Sequence, residues 1–213
     1  MTTSPPPGAR QPGPMPPATR PGPLWARAVS EILSPAHLVM ALPFVIGWHA
    51  TWPDFSGALW GLVASLFCGA VPYAAILAGV RTGRLTDKHI GRREQRVRPL
   101  VLALASVVAG LGALLVLGAI PAVVVLVVGM LVALAVIAPI TAFWKISLHA
   151  AVAAGTAVVL TVTFDGVAAA LAWPLTVAVA AARVALGAHT VAQVVAGGLV
   201  GALVPLAVYL LIR

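Results

Sequence analysis

Two of the five histidines, His149 and His189, stand with Ser147, Arg98, Arg183 and a group of basic residues between positions 81 and 99 in a chain otherwise poor in reactive side chains. These residue types suit a phosphate group. Guanidinium groups bind phosphoryl oxygens in pairs, imidazole serves as nucleophile or general acid, and helix N-termini add oriented N–H donors. Ser147 is placed to cap a helix carrying His149, and His189-Thr190 opens the last apolar run. Both imidazoles are therefore expected near positive helix ends.

The elements that must position these residues are membrane spans. Of the 213 residues 61% are hydrophobic and 8% charged, and the mean hydropathy is +1.05. Soluble domains are about half apolar and about a quarter charged, so the composition excludes a water-soluble globular protein and indicates an integral membrane protein, multi-pass and expected in the cell membrane. The single cysteine, Cys68, excludes an internal disulfide framework and a Cys-based zinc site. Thirteen Lys and Arg against five Asp and Glu give a net charge of +8. Most of the basic residues border apolar runs, where they read as topology signals and anion ligands, and no nucleic-acid partner is expected.

At about 1.5 Å per residue a span needs roughly 17 to 25 apolar residues. That length parses the chain into spans near 35–52, 57–80, 100–119, 121–142, 147–164, 167–186 and 190–212. The charge-free stretch from Leu100 to Phe143 is broken at Gly118 and Pro121 and is expected as a helical hairpin. Trp173-Pro174 makes 167–186 the weakest span, so the expected fold is an all-α polytopic membrane protein, a bundle of six to seven transmembrane helices. Residues 1–30 are expected as a disordered Pro-rich tail, with nine of the eighteen prolines before position 25, and residues 31–213 as the transmembrane domain. No apolar h-region follows the start, so the tail is not expected to be a cleaved signal peptide.

Loop 81–99 carries seven basic residues against Asp87 and Glu94. Two crossings return the chain to the same side at Lys145 to His149, and two more at Arg183 to His189. Three separate segments bearing Arg, Lys, Ser and His thus converge on one face, while the other offers Asp54, Asp165 and Arg213. The positive-inside rule places the loop on the cytoplasmic side with the tail and its Arg10, Arg20 and Arg27, so the site is expected to face the cytoplasm.

In this order the motifs resemble those of the type 2 phosphatidic acid phosphatase (PAP2) superfamily of membrane lipid phosphatases: K-x6-R-P, then P-S-G-H, then S-R-x5-H-x3-D. Ala182-Arg183, five residues, His189, three residues and Gln193 match the third motif, with Gln in place of Asp. Ile146-Ser147-Leu148-His149 is similar to the second, keeping Ser and His. Arg98-Pro99 stands as the R-P of the first, whose Lys position falls on Gly91, leaving Arg92, Arg93 or Lys88 to substitute. The resemblance covers residues 81 to 201. His189-Thr190 through Gln193 to Gly197 also resembles the dolichyl diphosphatase branch, where Gln is compatible with hydrolysis.

The resemblance implies a PAP2-like helical bundle and a metal-independent phosphatase or diphosphatase acting on a lipid phosphate, with a polyprenyl phosphate or diphosphate, or a phosphatidic-acid-like lipid, as substrate. His189 would be the nucleophile that becomes phosphohistidine, His149 the general acid, and Gln193 the partner of His189. Arg98, Arg183, Arg92, Lys88 and Ser147 would hold the phosphate. No metal and no cofactor are implied. Two other readings compete. A catalytically silent relative would bind lipid or scaffold a partner. A UbiA-like prenyltransferase is similar in having Asp87 ahead of an R-P pair, but its diphosphate site needs two Asp-rich motifs, and only one loop Asp is present.

Overall fold

The computed structural model describes residues 22–87, 95, 97–164 and 166–212, and among them every regular element is a helix. Helix α1 (Leu24–Ile32) begins inside the stretch expected as tail. It is two-sided: Ala26 and Ser30 are buried, while Leu24, Trp25 and Ile32 are exposed. A bend of 41° leads to α2 (Pro35–Thr51). Ser34 caps α2 by accepting from the His37 N–H, and His37 Nδ1 lies 2.9 Å from the Glu31 carbonyl, which stitches the corner.

Helices α3 (Ser56–Ser65) and α4 (Val71–Arg81) are joined by one π turn, Leu66–Ala70, into a 26-residue apolar rod. Then come α5 (Val97–Val116), α6 (Pro121–Phe143), α7 (Leu148–Thr163), α8 (Gly166–Ala185) and α9 (Val191–Ile212). The 100–143 hairpin forms as expected, turning at Gly118 with φ +76°.

Among the described residues five helices are long and apolar enough to cross a membrane: the α3–α4 rod, α5, α6, α8 and α9. Taking α1 and α2 as one bent span makes six. Six is the lower end of the expected six to seven, and the segment that falls short is not the one the sequence marked as weakest. Pro174 sits inside a continuous 20-residue helix, held to α7 by the Trp173 indole N–H donating to Thr161 Oγ1 at 3.2 Å. Pro is tolerated where neighbouring helices support the broken ladder. The short member is α7, whose 16 residues span about 24 Å, less than the roughly 30 Å of a hydrocarbon core.

Close backbone packing orders the bundle. Apolar helices gain little by hiding from apolar lipid, so small residues that let backbones approach do the work. On α9, a Cβ at Gly197 would run into the Ser147 carbonyl and one at Gly201 into the Ala151 carbonyl. The pairing rises in step along both chains, so α7 and α9 are parallel and start at the same end. Helix α8 runs antiparallel to α7, with Thr176 Oγ1 donating to the Ala153 carbonyl at 3.2 Å. Ser65 and Ser106 make similar cross-helix bonds to the carbonyls of Met40 and Phe67, each worth about 0.6 kcal/mol in such settings. Leu114, Val123 and Val127 form the dry core beside Cys68.

Candidate active site

Five residues separate Arg183 from His189, and the backbone shows what that spacing accomplishes. Helix α8 ends at Ala185, and Gly187 takes φ +63°, the left-handed conformation that closes a helix C-terminus. The chain then folds back, so that the N–H groups of Ala188 and His189 both donate to the Arg183 carbonyl, at 3.1 and 3.2 Å. The R-x5-H spacing is thus one helix end plus one turn.

From there α9 starts with a reciprocal cap. Thr190 Oγ1 accepts from the Gln193 N–H at 3.3 Å, and Gln193 Oε1 accepts from the Thr190 N–H at 3.2 Å, the two bonds of a capping box. The same Oε1 lies 3.2 Å from His189 Nδ1. An amide oxygen only accepts, so in the neutral ring a proton on Nδ1 satisfies this contact.

Ser147 is fully buried and caps α7 by accepting from the Ala150 N–H at 3.3 Å. Its own N–H donates to the Gln193 carbonyl at 3.2 Å. That bond ties the starts of the parallel helices α7 and α9 together, so their positive ends lie side by side and His149 sits buried in the first turn of α7.

The electrostatics follow from crowding of cations. Burial pushes His189 down from 6.5 to about 4, and the positive charges of Arg183 and Lys145 push the same way. Hydrogen bonds to the Gln193 side chain and the Lys145 backbone oppose this in part. His189 is therefore neutral at pH 7 and surrounded by positive charge. Arg183 is only 7% exposed, and among the described residues its Nε–H has no hydrogen-bond partner. A buried donor left unmatched is costly, so this end of the bundle favours an anion.

These groups open into a cavity of about 990 Å³, whose polar end is lined by Lys145, His149, Arg183 and His189. Residues there that sequence reasoning missed include Arg27, Ser30 and Glu31 of α1, and Thr141 near the end of α6. Glu31 is an electrostatic neighbour of Arg183. The signal for α1 was its two-sided pattern over 24–32, hidden because that stretch adjoins the Pro-rich tail.

Not every expected residue gathers here. Ser147, His149, Arg183, His189 and Gln193 are brought together, but Arg98 is exposed at the start of α5 while its neighbour Pro99 lines the cavity. Lys88 and Arg92 lie outside the described residues. His49 packs at a tilt of 43° against Phe164 at the other end of the bundle, with ring centroids 4.3 Å apart. Among the described residues no three His, Cys, Asp or Glu side chains are grouped as a metal-ion site. Comparison of the chain with known protein families, with curated proteins and with solved structures gives no match.

Proposed function

We propose that this chain is a membrane lipid phosphatase of the type 2 phosphatidic acid phosphatase kind, hydrolysing the phosphate or diphosphate headgroup of a lipid through a phosphohistidine. One observation carries the reading: a neutral His189 with Nδ1 held by Gln193 is hydrogen-bonded through its backbone to Arg183, a buried guanidinium with an unmatched Nε–H. A nucleophile needs its lone pair free and a phosphoryl group needs a cation beside it.

In the proposed reaction the lipid phosphate settles against Arg183 and the paired starts of α7 and α9. His189 Nε2 attacks phosphorus in line, the N–P bond forms and the P–O bond to the lipid breaks. His149 gives its proton to the leaving oxygen, the nearby phosphate charge favouring its protonated form. Water then attacks phosphorus, His149 takes the proton from that water, and the N–P bond breaks to release phosphate. On this reading Arg98, Lys88 and Arg92 are further ligands of the phosphate, as the resemblance implies. The site faces the cytoplasm on this reading, in keeping with the net positive charge of the sequence from 81 to 99.

Phosphate release tests the proposal. Purified protein in proteoliposomes, with EDTA present, is offered prenyl mono- and diphosphates and phosphatidic acid beside His189→Ala. Release that survives EDTA and disappears in the variant supports the phosphatase. A second reading, a silent lipid-binding relative, is favoured by one feature: the capping box alone accounts for Gln193. No release from any substrate by the folded protein would select it.

A further inference from the structure

The cavity does not stop at the polar end. Along α6 its wall runs from Thr141, beside the candidate site, to Pro121, and along α7 from His149 to Thr163. The twenty residues from Thr141 to Pro121 cover about 30 Å of helix, the thickness of a bilayer's hydrocarbon core. A sphere of 990 Å³ would be only about 12 Å across, so the space is elongated, a tube-like cleft between the helices that is partly open along its length. Below the polar end its wall is formed by residues such as Leu126, Gly129, Val158, Val159 and Pro205. Among the described residues no Asp, Glu, Lys or Arg lines that lower part, which disfavours an ion or phosphate path, since apolar constrictions shed water. A tube with cations at one end and walls that are apolar for most of the rest of its length, with Thr156, Thr163 and Tyr209 as polar exceptions, matches an amphiphile with an anionic head.

The geometry points to a tail site inside the bundle: the hydrocarbon tail of the substrate lipid threads from the polar end toward Pro121, within the protein rather than in the surrounding bilayer. This rests on the lipid phosphatase reading for the identity of the head, while the tail site is testable without turnover. Its depth marker is Gly129, twelve residues and about 18 Å of helix from Thr141. A Cβ there would meet Pro205 at 3.8 Å, an ordinary contact. A leucine at this position projects into the tube and blocks it about halfway.

The probe is a long-chain alkyl phosphonate, which no phosphatase cleaves, carrying a diazirine at the far end of its tail. Photolysis in proteoliposomes followed by peptide mapping is expected to label α6, α7 or α9 at tube-lining positions such as Val159 and Pro205. Gly129→Leu should lower that labelling at least tenfold. Gly112→Leu, on the outer side of α5 where an added Cβ meets nothing, should leave it unchanged. Labelling confined to outward residues such as Val101, Leu115 or Leu203, or undiminished by Gly129→Leu, would overturn the tail site. If Gly129→Leu does not fold, Ala133→Leu, one turn nearer the polar end and also in the wall, takes its place. Hydrolysis separates the two claims. A phosphatase whose preference for long over short tails is unmoved by the plug retains its chemistry and loses the tail site, whereas labelling inside the tube without phosphate release leaves the tail site and removes the phosphatase.

Discussion

Replacing Gln193 with Glu changes charge at the center of the site and little else. The carboxylate keeps the capping box, because an oxygen remains to accept from the Thr190 N–H, and it adds negative charge to the first turn of α9, where the helix dipole favours it. What changes is His189. With Nδ1 3.2 Å from the side-chain oxygen, the new charge interacts at close range, about 4 kcal/mol at 4 Å and an effective dielectric of 20. That equals about 3 pKa units at 1.36 kcal/mol each, and screening of a half-buried ring reduces it, so a rise of about 1 to 3 units is expected. His189 should move from about 4 to between about 5 and 7. Long-range nitrogen–proton NMR of the imidazole in nanodiscs, titrated from pH 3 to 9, reads the shift directly and requires no activity. Gln193→Leu should move the ring the other way, since it removes a bond that favours the charged form. A shift smaller than half a unit in Gln193→Glu would refute the pairing of His189 with residue 193.

Three further outcomes follow from the same contacts. Because His189 titrates near 4 when folded and near 6.5 when free, the unfolded chain binds the extra proton; this contribution to stability is intact above about pH 6.5 and is lost as pH falls toward 4, so the midpoint of chemical unfolding in detergent should drop through that window, and less steeply in His189→Ala. Ser147→Ala removes the α7 cap and should cost about 0.5–2 kcal/mol in the same unfolding assay. Gly201→Val forces a side chain against the Ala151 carbonyl and should lower stability by about 1–3 kcal/mol, with a thermal scan unchanged from wild type counting against the parallel α7–α9 packing.

Much of the arrangement was written in residue spacing. The apolar runs located the helices of the bundle because length against bilayer thickness is a strong constraint, and the break at Gly118 and Pro121 marked the hairpin. Ser147 and Thr190 announced helix starts because short hydroxyl side chains cap them. The convergence of His149, Arg183 and His189 needed only a count of crossings. What stayed hidden depends on tertiary contact. Whether Pro174 breaks a helix is decided by its neighbours on α7 rather than by the local sequence, and the role of α1 is decided by its packing at the mouth of the cavity. Nor does the R-P pair disclose that Pro99 faces the cavity while Arg98 faces out, because adjacent helical residues diverge by about 100° at 3.6 residues per turn.

Gln193 alters the resting charge of the site more than its geometry. A carboxylate at this position would place a negative charge beside His189 and offset one of the surrounding cations. An amide holds the ring equally well through Nδ1 but leaves it neutral between Arg183 and Lys145, so the empty site carries an excess of positive charge. On the proposed mechanism that excess strengthens binding of a phosphate dianion, substrate or product alike, and leaves the positive charge that develops on the phosphorylated ring without a counter-charge at position 193. The two effects act on different steps: the first favours capture and slows release, the second slows transfer. Gln193→Glu should therefore weaken inhibition by inorganic phosphate and vanadate while raising the rate of phosphoryl transfer, a pairing that a purely structural cap has no means to produce. Equal inhibition of both proteins would assign Gln193 to the helix start alone.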